Sequence, residues 1–351
     1  MGVIDASGRL KKMNKGIEVN KLDEKAKASL KKRVITSIIG LAIVIPAIIL
    51  GDWYFTAVIL FFTAVGVIEI IRCAKKKYSR IAYVVMFILC VSITFWPVIV
   101  NAISWGIEGK IATFDWHIYN GFTTLAISLL LFVVSVFALF YVIMWDANFT
   151  VRDACFLFTI GFLMSLGFQG LLYIRSIPLV GRTIGGGYYN LTNTFEACTP
   201  LVYLLIATFA TDIGAYFIGM LFGKRKVNER ISPNKTWAGF FGGLVVSTIL
   251  SFTFGIVLAA CNLPMLPIFD LSHWYNILIL SILIPPFATL GDFVFSAIKR
   301  YYGIKDFGKL LPGHGGVLDR CDSVLFSSLV MALYVVIGLW AHNGFTSPLY
   351  F

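Results

Sequence analysis

The sequence predicts an all-α, polytopic integral membrane protein with about nine transmembrane helices and a cytoplasmic N-terminus. Of its 351 residues, 58% are hydrophobic and only 13% are charged, whereas soluble domains carry roughly 25% charged residues. Mean hydropathy is +0.85. The apolar residues form stretches long enough to cross the ~30 Å hydrocarbon layer of a bilayer, which requires about 20 helical residues.

Hydropathy assigns nearly the whole chain to these helices. The predicted spans are 35–52, 54–72, 81–103, 120–145, 154–174, 198–222, 237–262, 275–298 and 320–342. Residues 1–34 mix acids and bases with few large apolar side chains, so they cannot bury a core of their own. We expect them to form a charged cytoplasmic extension, and residues 343–351 to form a C-terminal tail.

The positions of lysine and arginine predict the orientation, because positively charged short loops stay on the cytoplasmic side. With the N-terminus inside, 26 of the 29 lysines and arginines fall in inner segments. The net charge of +11 then indicates a surface that attracts anionic membrane lipids, and it does not indicate nucleic-acid binding. A multi-pass protein of the cell membrane is expected.

Two aspartates, Asp212 and Asp292, fall within predicted spans. An ionised Asp at the bilayer centre costs ~2.5–3.5 kcal/mol on insertion scales, so each marks a candidate functional site. The Pro285–Pro286 pair is expected to break or kink the helix before Asp292, which would admit water and substrate. Glu69 is a third such acid, but it is close enough to the interface for Arg72 to be its partner.

A charged run at residues 296–322, SAIKRYYGIKDFGKLLPGHGGVLDRCD, lies between two apolar stretches. Upstream of it, Asp292 is spaced i, i+4 and i+7 from Ser296 and Lys299, so all three share one helix face. Asp319 shares a face with the acid three residues later, at the start of the last helix. Carboxylates from two helices predict a Mg²⁺ site, because Mg²⁺ prefers one or two carboxylates together with substrate phosphates and water.

Two loops are suited to binding phosphate. In the first, Gly313, Gly315 and Gly316 let backbone N–H groups approach a phosphate closely, and the nearby cations are Lys305, Lys309 and Arg320. In the second, Ser232, Lys235 and Thr236 precede a helix whose N-terminus could hold a phosphate. The hydroxyls of Ser232 and Thr236 could equally serve only to cap that helix.

Together these motifs resemble the signature of the phosphatidate cytidylyltransferase, or CDP-diglyceride synthase, family. The pattern S-x-x-K-R-x4-K-D-x-G-x-x-L-P-G-H-G-G-x-L-D-R-x-D is matched throughout 296–322. D-x-x-A-Y-x-x-G from Asp212 and S-P-N-K-T-W from Ser232 resemble two further blocks in the same order. The resemblance covers roughly 200–342. It departs at Ala238, where the family commonly has an acid.

The resemblance implies that the chain transfers the cytidylyl group of CTP to phosphatidate in the inner leaflet, giving CDP-diacylglycerol and pyrophosphate in phospholipid biosynthesis. It also implies a homodimer. Residues 200–342, with cytoplasmic loops 223–236 and 299–319, are therefore expected to be the catalytic region. Residues 35–199 are expected to form the N-terminal transmembrane helices.

Mg²⁺ is the expected cofactor, and a second metal ion would suit the same chemistry. The expected ligands are Asp292 and Asp319, with Asp322 and Asp212 as further candidates. The cations expected to hold the triphosphate are Lys299, Arg300, Lys305 and Arg320. Ser296 would orient a phosphate or a metal-bound water, Asp306 belongs to the same catalytic set, and Lys235 would meet the lipid phosphate. His314 would either donate a proton or hydrogen bond to the leaving group or only structure its loop.

Two alternatives remain open from the sequence. A cytidylyltransferase for an ether-lipid phosphate would carry similar metal and CTP residues and differ only in its lipid-facing helices. An ion-coupled transporter could use Asp212 and Asp292 as coupling groups, but it would be expected to show inverted repeats and intramembrane charges in both halves. The polar groups here gather instead toward one predicted face.

Overall fold

The computed structural model is almost entirely helical. It describes residues 24–108, 121–180, 198–261, 263, 265–310, 312–313 and 315–342. The helices are α1 (Glu24–Leu50), α2 (Asp52–Cys73), α3 (Arg80–Glu108), α4 (Gly121–Trp145), α5 (Val151–Val180), α6 (Thr199–Phe222), α7 (Trp237–Ala260), α8 (Trp274–Tyr301) and α9 (Leu318–His342). Residues 1–23 of the predicted extension and the predicted tail 343–351 lie outside the described residues.

Within the described residues, eight helices are long and apolar enough to cross a membrane. The ninth, α4, contributes the shorter apolar stretch Leu130–Trp145. All nine lie at the predicted positions, so the prediction of an all-α polytopic membrane protein is confirmed. Helix α1 begins at Glu24, which makes the end of the predicted extension continuous with the first span.

Helix α8 is continuous from Trp274 to Tyr301 with both Pro285 and Pro286 inside it, so of the predicted break or kink the break is wrong. A proline leaves the carbonyl four residues earlier without its helical donor. For Pro285 that acceptor is the Ser281 carbonyl, and Thr248 Oγ1 of α7 donates to it at 3.2 Å. A hydroxyl from a neighbouring helix thus satisfies the freed backbone group, which is how membrane helices tolerate proline.

Hydropathy did not predict a short hairpin between α6 and α7, nor a 3-10 turn at Pro267–Phe269. Strand β1 (Lys226–Asn228) pairs antiparallel with β2 (Ser232–Thr236). The strand β2 leads directly into α7, whose first residue is Trp237. The hairpin therefore fixes the direction in which the second predicted phosphate loop leaves the membrane.

The helices form one bundle in which the two predicted halves are in contact. Helix α6 packs along α7, α8 packs along α9, and α5 of the first half packs against α9 of the second. Ser328 Oγ on α9 donates to the Gly167 carbonyl on α5 at 2.7 Å. Helix α1 is the exception, since only 6% of its membrane-length window is buried.

Several charged loops meet at one end of this bundle, which we call the charged end. It consists of the start of α1 and residues 73–80, 146–150, 223–236 and 302–317. Lys75 Nζ donates to the Gly303 carbonyl at 3.0 Å. The Ser79 backbone N–H donates to Asp146 Oδ2 at 2.6 Å, and this hydrogen bond lowers the pKa of the Asp146 carboxyl. Loops distant in sequence are therefore held together around the loop between α8 and α9.

Candidate active site

An ion pair between Lys235 of β2 and Asp292 of α8 lies at the centre of the candidate site. Ser296 Oγ donates to the other carboxylate oxygen, Asp292 Oδ1, at 3.2 Å, as the helical spacing predicted. The Lys235 ammonium also lies 4.3 Å from the centroid of the Phe293 ring. About a quarter of each charged side chain is exposed, so a ligand can reach the pair.

Two further acids lie near this pair. Asp212 of α6 and Asp322 of α9 both interact electrostatically with Asp292. Three of the four predicted metal ligands, from three helices, are therefore within electrostatic range of one another. Among the residues that the structure describes, no three His, Cys, Asp or Glu side chains are placed to hold a metal ion by themselves.

This donor set suits Mg²⁺, because that ion usually takes one or two protein carboxylates and completes its octahedron with water and substrate phosphates. The Lys235 ammonium beside Asp292 offsets part of the negative charge that would otherwise repel a polyphosphate. The residues present therefore fit a metal that arrives with its anionic ligand better than a metal alone.

Asp319, the fourth predicted ligand, has a different environment. Its Oδ1 accepts a hydrogen bond from Lys299 Nζ at 2.9 Å. Its Oδ2 accepts the backbone N–H groups of Phe307 at 2.8 Å and Gly316 at 2.9 Å. The Asp319 side chain is only 3% exposed. Both oxygens are engaged within the protein, so this residue anchors the α8–α9 loop to both helices.

The loop between α8 and α9 forms an open cavity of about 670 Å³. The charged side chains that line it are Arg33, Lys305, Asp306, Lys309 and Arg320. Gly313 and Gly315, which also line it, have positive φ values of 81° and 88°, a conformation that favours glycine. Most residues of the first predicted phosphate loop therefore surround one cation-rich space, while His314 lies outside the described residues.

Arg300 does not line this cavity. Its Nε donates to the Ile231 carbonyl of the hairpin at 3.3 Å, and it borders a second cavity of about 530 Å³ with Arg230 and Tyr302. Burial raises the pKa of the Tyr302 phenol to about 12. Because successive residues of an α-helix point about 100° apart, Arg300 and its neighbour Lys299 reach different parts of the structure.

Of the three candidate phosphate-binding residues in the second predicted loop, one lies at the acid cluster. Thr236 Oγ1 accepts the Gly239 N–H at 3.1 Å and caps α7, which is the capping alternative of the sequence analysis. Ser232 is paired with Asn228 across the hairpin. Lys235 alone extends to Asp292.

Glu69 is the residue whose role the sequence did not reveal. Its two carboxylate oxygens accept the backbone N–H groups of Val317 and Leu318, each at 3.0 Å, and its side chain is buried. A Cβ atom at either Gly308 or Gly316 would collide with this carboxylate. Whereas the sequence pointed to Arg72 as its partner, Glu69 binds the positive end of α9, where the first N–H groups lack helical acceptors.

Known proteins resemble this chain over most of its length. The model of the cytidylyltransferase family matches residues 31–338. The phosphatidate cytidylyltransferase of Bacillus subtilis (strain 168) is 29% identical over 312 residues, which cover 89% of this chain and 99% of that protein.

Two other proteins named phosphatidate cytidylyltransferase match shorter regions. The protein of Staphylococcus haemolyticus (strain JCSC1435) is 36% identical over 196 residues, 56% of this chain and 64% of that protein. The protein of Mycobacterium leprae (strain TN) is 47% identical over 130 residues, 36% of this chain and 37% of that protein. With the family match extending from α1 to α9, around an acid cluster beside a cation-lined loop, the chain belongs to the cytidylyltransferase family.

Proposed function

We propose that this protein transfers the cytidylyl group of CTP to phosphatidate and releases CDP-diacylglycerol and pyrophosphate. The observation that carries this proposal is the meeting of Asp212, Asp292 and Asp322 with Lys235, next to a cation-lined loop, in a member of this family. The relatives named as phosphatidate cytidylyltransferases support the choice of substrates.

The architecture suits a reaction between a membrane lipid and a water-soluble nucleotide. The acids lie on membrane-spanning helices, while the cation-lined cavity lies on the loop between α8 and α9. An oxygen of the lipid phosphate would attack the α-phosphorus of CTP, and the bond from that phosphorus to the β-phosphate oxygen would break. The lipid phosphate is already an anion, so positioning and charge neutralisation supply most of the catalysis.

Mg²⁺ is the proposed cofactor, with Asp292 and Asp322 as its protein ligands and Asp212 within the same cluster. When bound, the ion would polarise the transferred phosphoryl group and offset the charge of the leaving pyrophosphate. A second metal ion is compatible with three acids. For Asp319 we propose the anchoring role that its hydrogen bonds support.

The remaining side chains have positioning roles in this proposal. Lys235 would bind the lipid phosphate, since its ammonium lies at the acid cluster. Ser296 would orient Asp292, to which it donates a hydrogen bond. Lys305 and Arg320 would hold phosphates of the nucleotide. The inner leaflet of the cell membrane, a cytoplasmic N-terminus and a homodimer complete the proposal, supported by the charge distribution and the resemblance.

The test is transfer of radiolabel from CTP into lipid by purified protein in detergent with phosphatidate and Mg²⁺. We expect labelled CDP-diacylglycerol, and a loss of about 10²–10³-fold in Asp292→Asn, as when one preorganised electrostatic group is removed. Asp270→Asn is the control, because Asp270 pairs with His273 on the loop between α7 and α8. A well-folded wild type that labels only an ether-lipid phosphate, or no lipid, would contradict the proposal.

A further inference from the structure

Helix α1 contributes a cation to the cavity at the α8–α9 loop. Arg33 lines this cavity together with Lys305, Lys309 and Arg320. From the sequence, this helix was expected only to follow a charged extension and to anchor the chain in the membrane. The segment of α1 around Arg33 instead reaches the α8–α9 loop, which carries the family signature.

Two contacts hold the start of α1 against this loop. Thr36 Oγ1 lies within hydrogen-bond distance of two carbonyls, that of Lys32 in its own helix at 2.9 Å and that of Pro312 in the loop at 3.2 Å. At Gly313, a Cβ atom would lie 2.7 Å from Arg33 Cγ, so the absence of a side chain there makes room for the arginine stem. Positions 33 and 36 are three residues apart and therefore on the same side of the helix, which explains why both reach the loop.

The rest of α1 does not account for this docking. Between residues 32 and 50 most of its side chains are exposed, and the helix against which it packs is α2. The contact with the loop is therefore specific to the segment of α1 around Arg33 and Thr36. A guanidinium placed there adds a fourth cation to a cavity whose lining includes one carboxylate, Asp306.

We infer that Arg33 is a binding residue for phosphate oxygens in this cavity, and that these belong to the triphosphate of the nucleotide. The inference rests on the proposed function. Four cations around one carboxylate favour a polyanion, and a guanidinium suits phosphate because it can donate two parallel hydrogen bonds. A volume of about 670 Å³ is within the range of small-molecule sites.

The phosphate could come from the nucleotide or from a lipid headgroup. The nucleotide is favoured because the cavity is formed by the loop between two spans, whereas Lys235 lies at the acid cluster on the spans themselves. The CTP triphosphate carries several phosphate groups and phosphatidate carries one, so a cavity with four cations matches the former. Arg33 would thus affect the KM for CTP and leave the KM for phosphatidate unchanged.

The experiment measures both KM values for wild type, Arg33→Met, Arg33→Lys and the control Lys32→Met. Methionine keeps an unbranched stem against Gly313 but removes the charge, and Lys32 is an adjacent exposed cation that does not line the cavity. We expect Arg33→Met to raise the KM for CTP about 10-fold, the effect of one charge-assisted hydrogen bond. Lysine should restore part of the loss, and Lys32→Met should behave as wild type.

A second readout does not depend on turnover. CTP should raise the midpoint of thermal unfolding of the wild type, because a ligand that binds only the folded state stabilises it. Arg33→Met should unfold at the wild-type temperature without CTP and need about 10-fold more CTP for the same rise.

Three outcomes would overturn the inference: an unchanged KM for CTP, a rise confined to the KM for phosphatidate, or an equal effect of Lys32→Met. Failure of the inference is distinct from failure of the proposed function. A wild type that makes no CDP-diacylglycerol removes the proposed function. An active wild type whose Arg33→Met variant keeps the normal KM for CTP removes only the role of Arg33.

Discussion

The Lys235 ammonium and the Asp292 carboxylate form an ion pair that joins the end of strand β2 to helix α8. The pair connects the S-P-N-K-T-W block to the helix that leads into the signature at 296–322. Lys235 also interacts electrostatically with Asp212, whereas the cation that interacts with Asp322 is Lys299. A ligand phosphate entering the cluster would meet this lysine together with the carboxylates.

Lys235→Gln is expected to lower kcat/KM for phosphatidate by about 10- to 100-fold, the worth of one charge-assisted hydrogen bond. The physical reason is that the variant removes the proposed partner of the lipid phosphate and leaves Asp292 without its counter-ion. Initial rates at varied phosphatidate and fixed CTP measure the effect. Lys226→Gln on strand β1, which is exposed, is the matched control, and equal losses in both variants would refute the specific role.

Asp319→Asn is expected to lower kcat about 100-fold through misplacement of the α8–α9 loop, since a shift of about 1 Å can cost that much. Asparagine cannot accept from Lys299, Phe307 and Gly316 together, because one of its two polar atoms is a donor. Limited proteolysis should cut the loop faster in the variant. Added Mg²⁺ should not restore the rate.

Asp322→Asn tests whether Asp322 is a metal ligand, in contrast to the anchoring role proposed for Asp319. We expect this variant to need more Mg²⁺ for half-maximal rate while its α8–α9 loop resists proteolysis as in the wild type. The reason is that Asp322 interacts electrostatically with Asp292 in the acid cluster, and its Oδ1 accepts the N–H of Ser323 on its own helix. If Asp319→Asn were the variant rescued by Mg²⁺, the anchoring role of Asp319 would be wrong.

Glu69→Gln is expected to destabilise the protein by about 1–3 kcal/mol, because one buried N–H of Val317 or Leu318 would lose its acceptor. The replacement keeps the shape of the side chain, so the loss reports on hydrogen bonding rather than on packing. Thermal unfolding in detergent measures it. Unchanged stability together with full activity would show that α9 does not need this cap.

Gly316→Ala tests the close approach of the Glu69 carboxylate to the start of α9 by changing the glycine instead of the acid. A methyl group there would collide with the Glu69 carboxylate, and overpacking of this kind typically costs about 1–3 kcal/mol. Gly40→Ala is the control, because a Cβ atom at Gly40 has nothing within 4 Å. A lower unfolding temperature for Gly316→Ala alone is expected, and equal behaviour of the two variants would contradict the close approach.

The partners of Glu69 could not be predicted from the sequence. An acid in an apolar span is visible from composition, but its partners are backbone N–H groups almost 250 residues later, as the Glu69–Leu318 pair shows. Backbone groups leave no residue type to recognise. For the same reason Gly316, which admits the carboxylate, was interpreted only as a phosphate-loop residue, and Gly308 only as a position of the signature.

Local sequence patterns predicted the features that depend on residues close together along the chain. Hydropathy predicted the helices, since each span must satisfy its backbone hydrogen bonds internally and needs no partner to do so. Helical spacing predicted that Ser296 would face Asp292, and the hydrogen bond between them agrees. The signature at 296–322 predicted the family, which the match over 31–338 confirms.

Only the tertiary structure decided which of these side chains meet. It separated Asp319, bonded to Lys299 and two backbone groups, from Asp322 in the acid cluster, although both lie in the first turns of α9. It also brought Arg33 of the weakly packed helix α1 to the cation-lined cavity. Such contacts depend on how separate helices pack, and each helix forms without reference to that packing, so no local pattern encodes them.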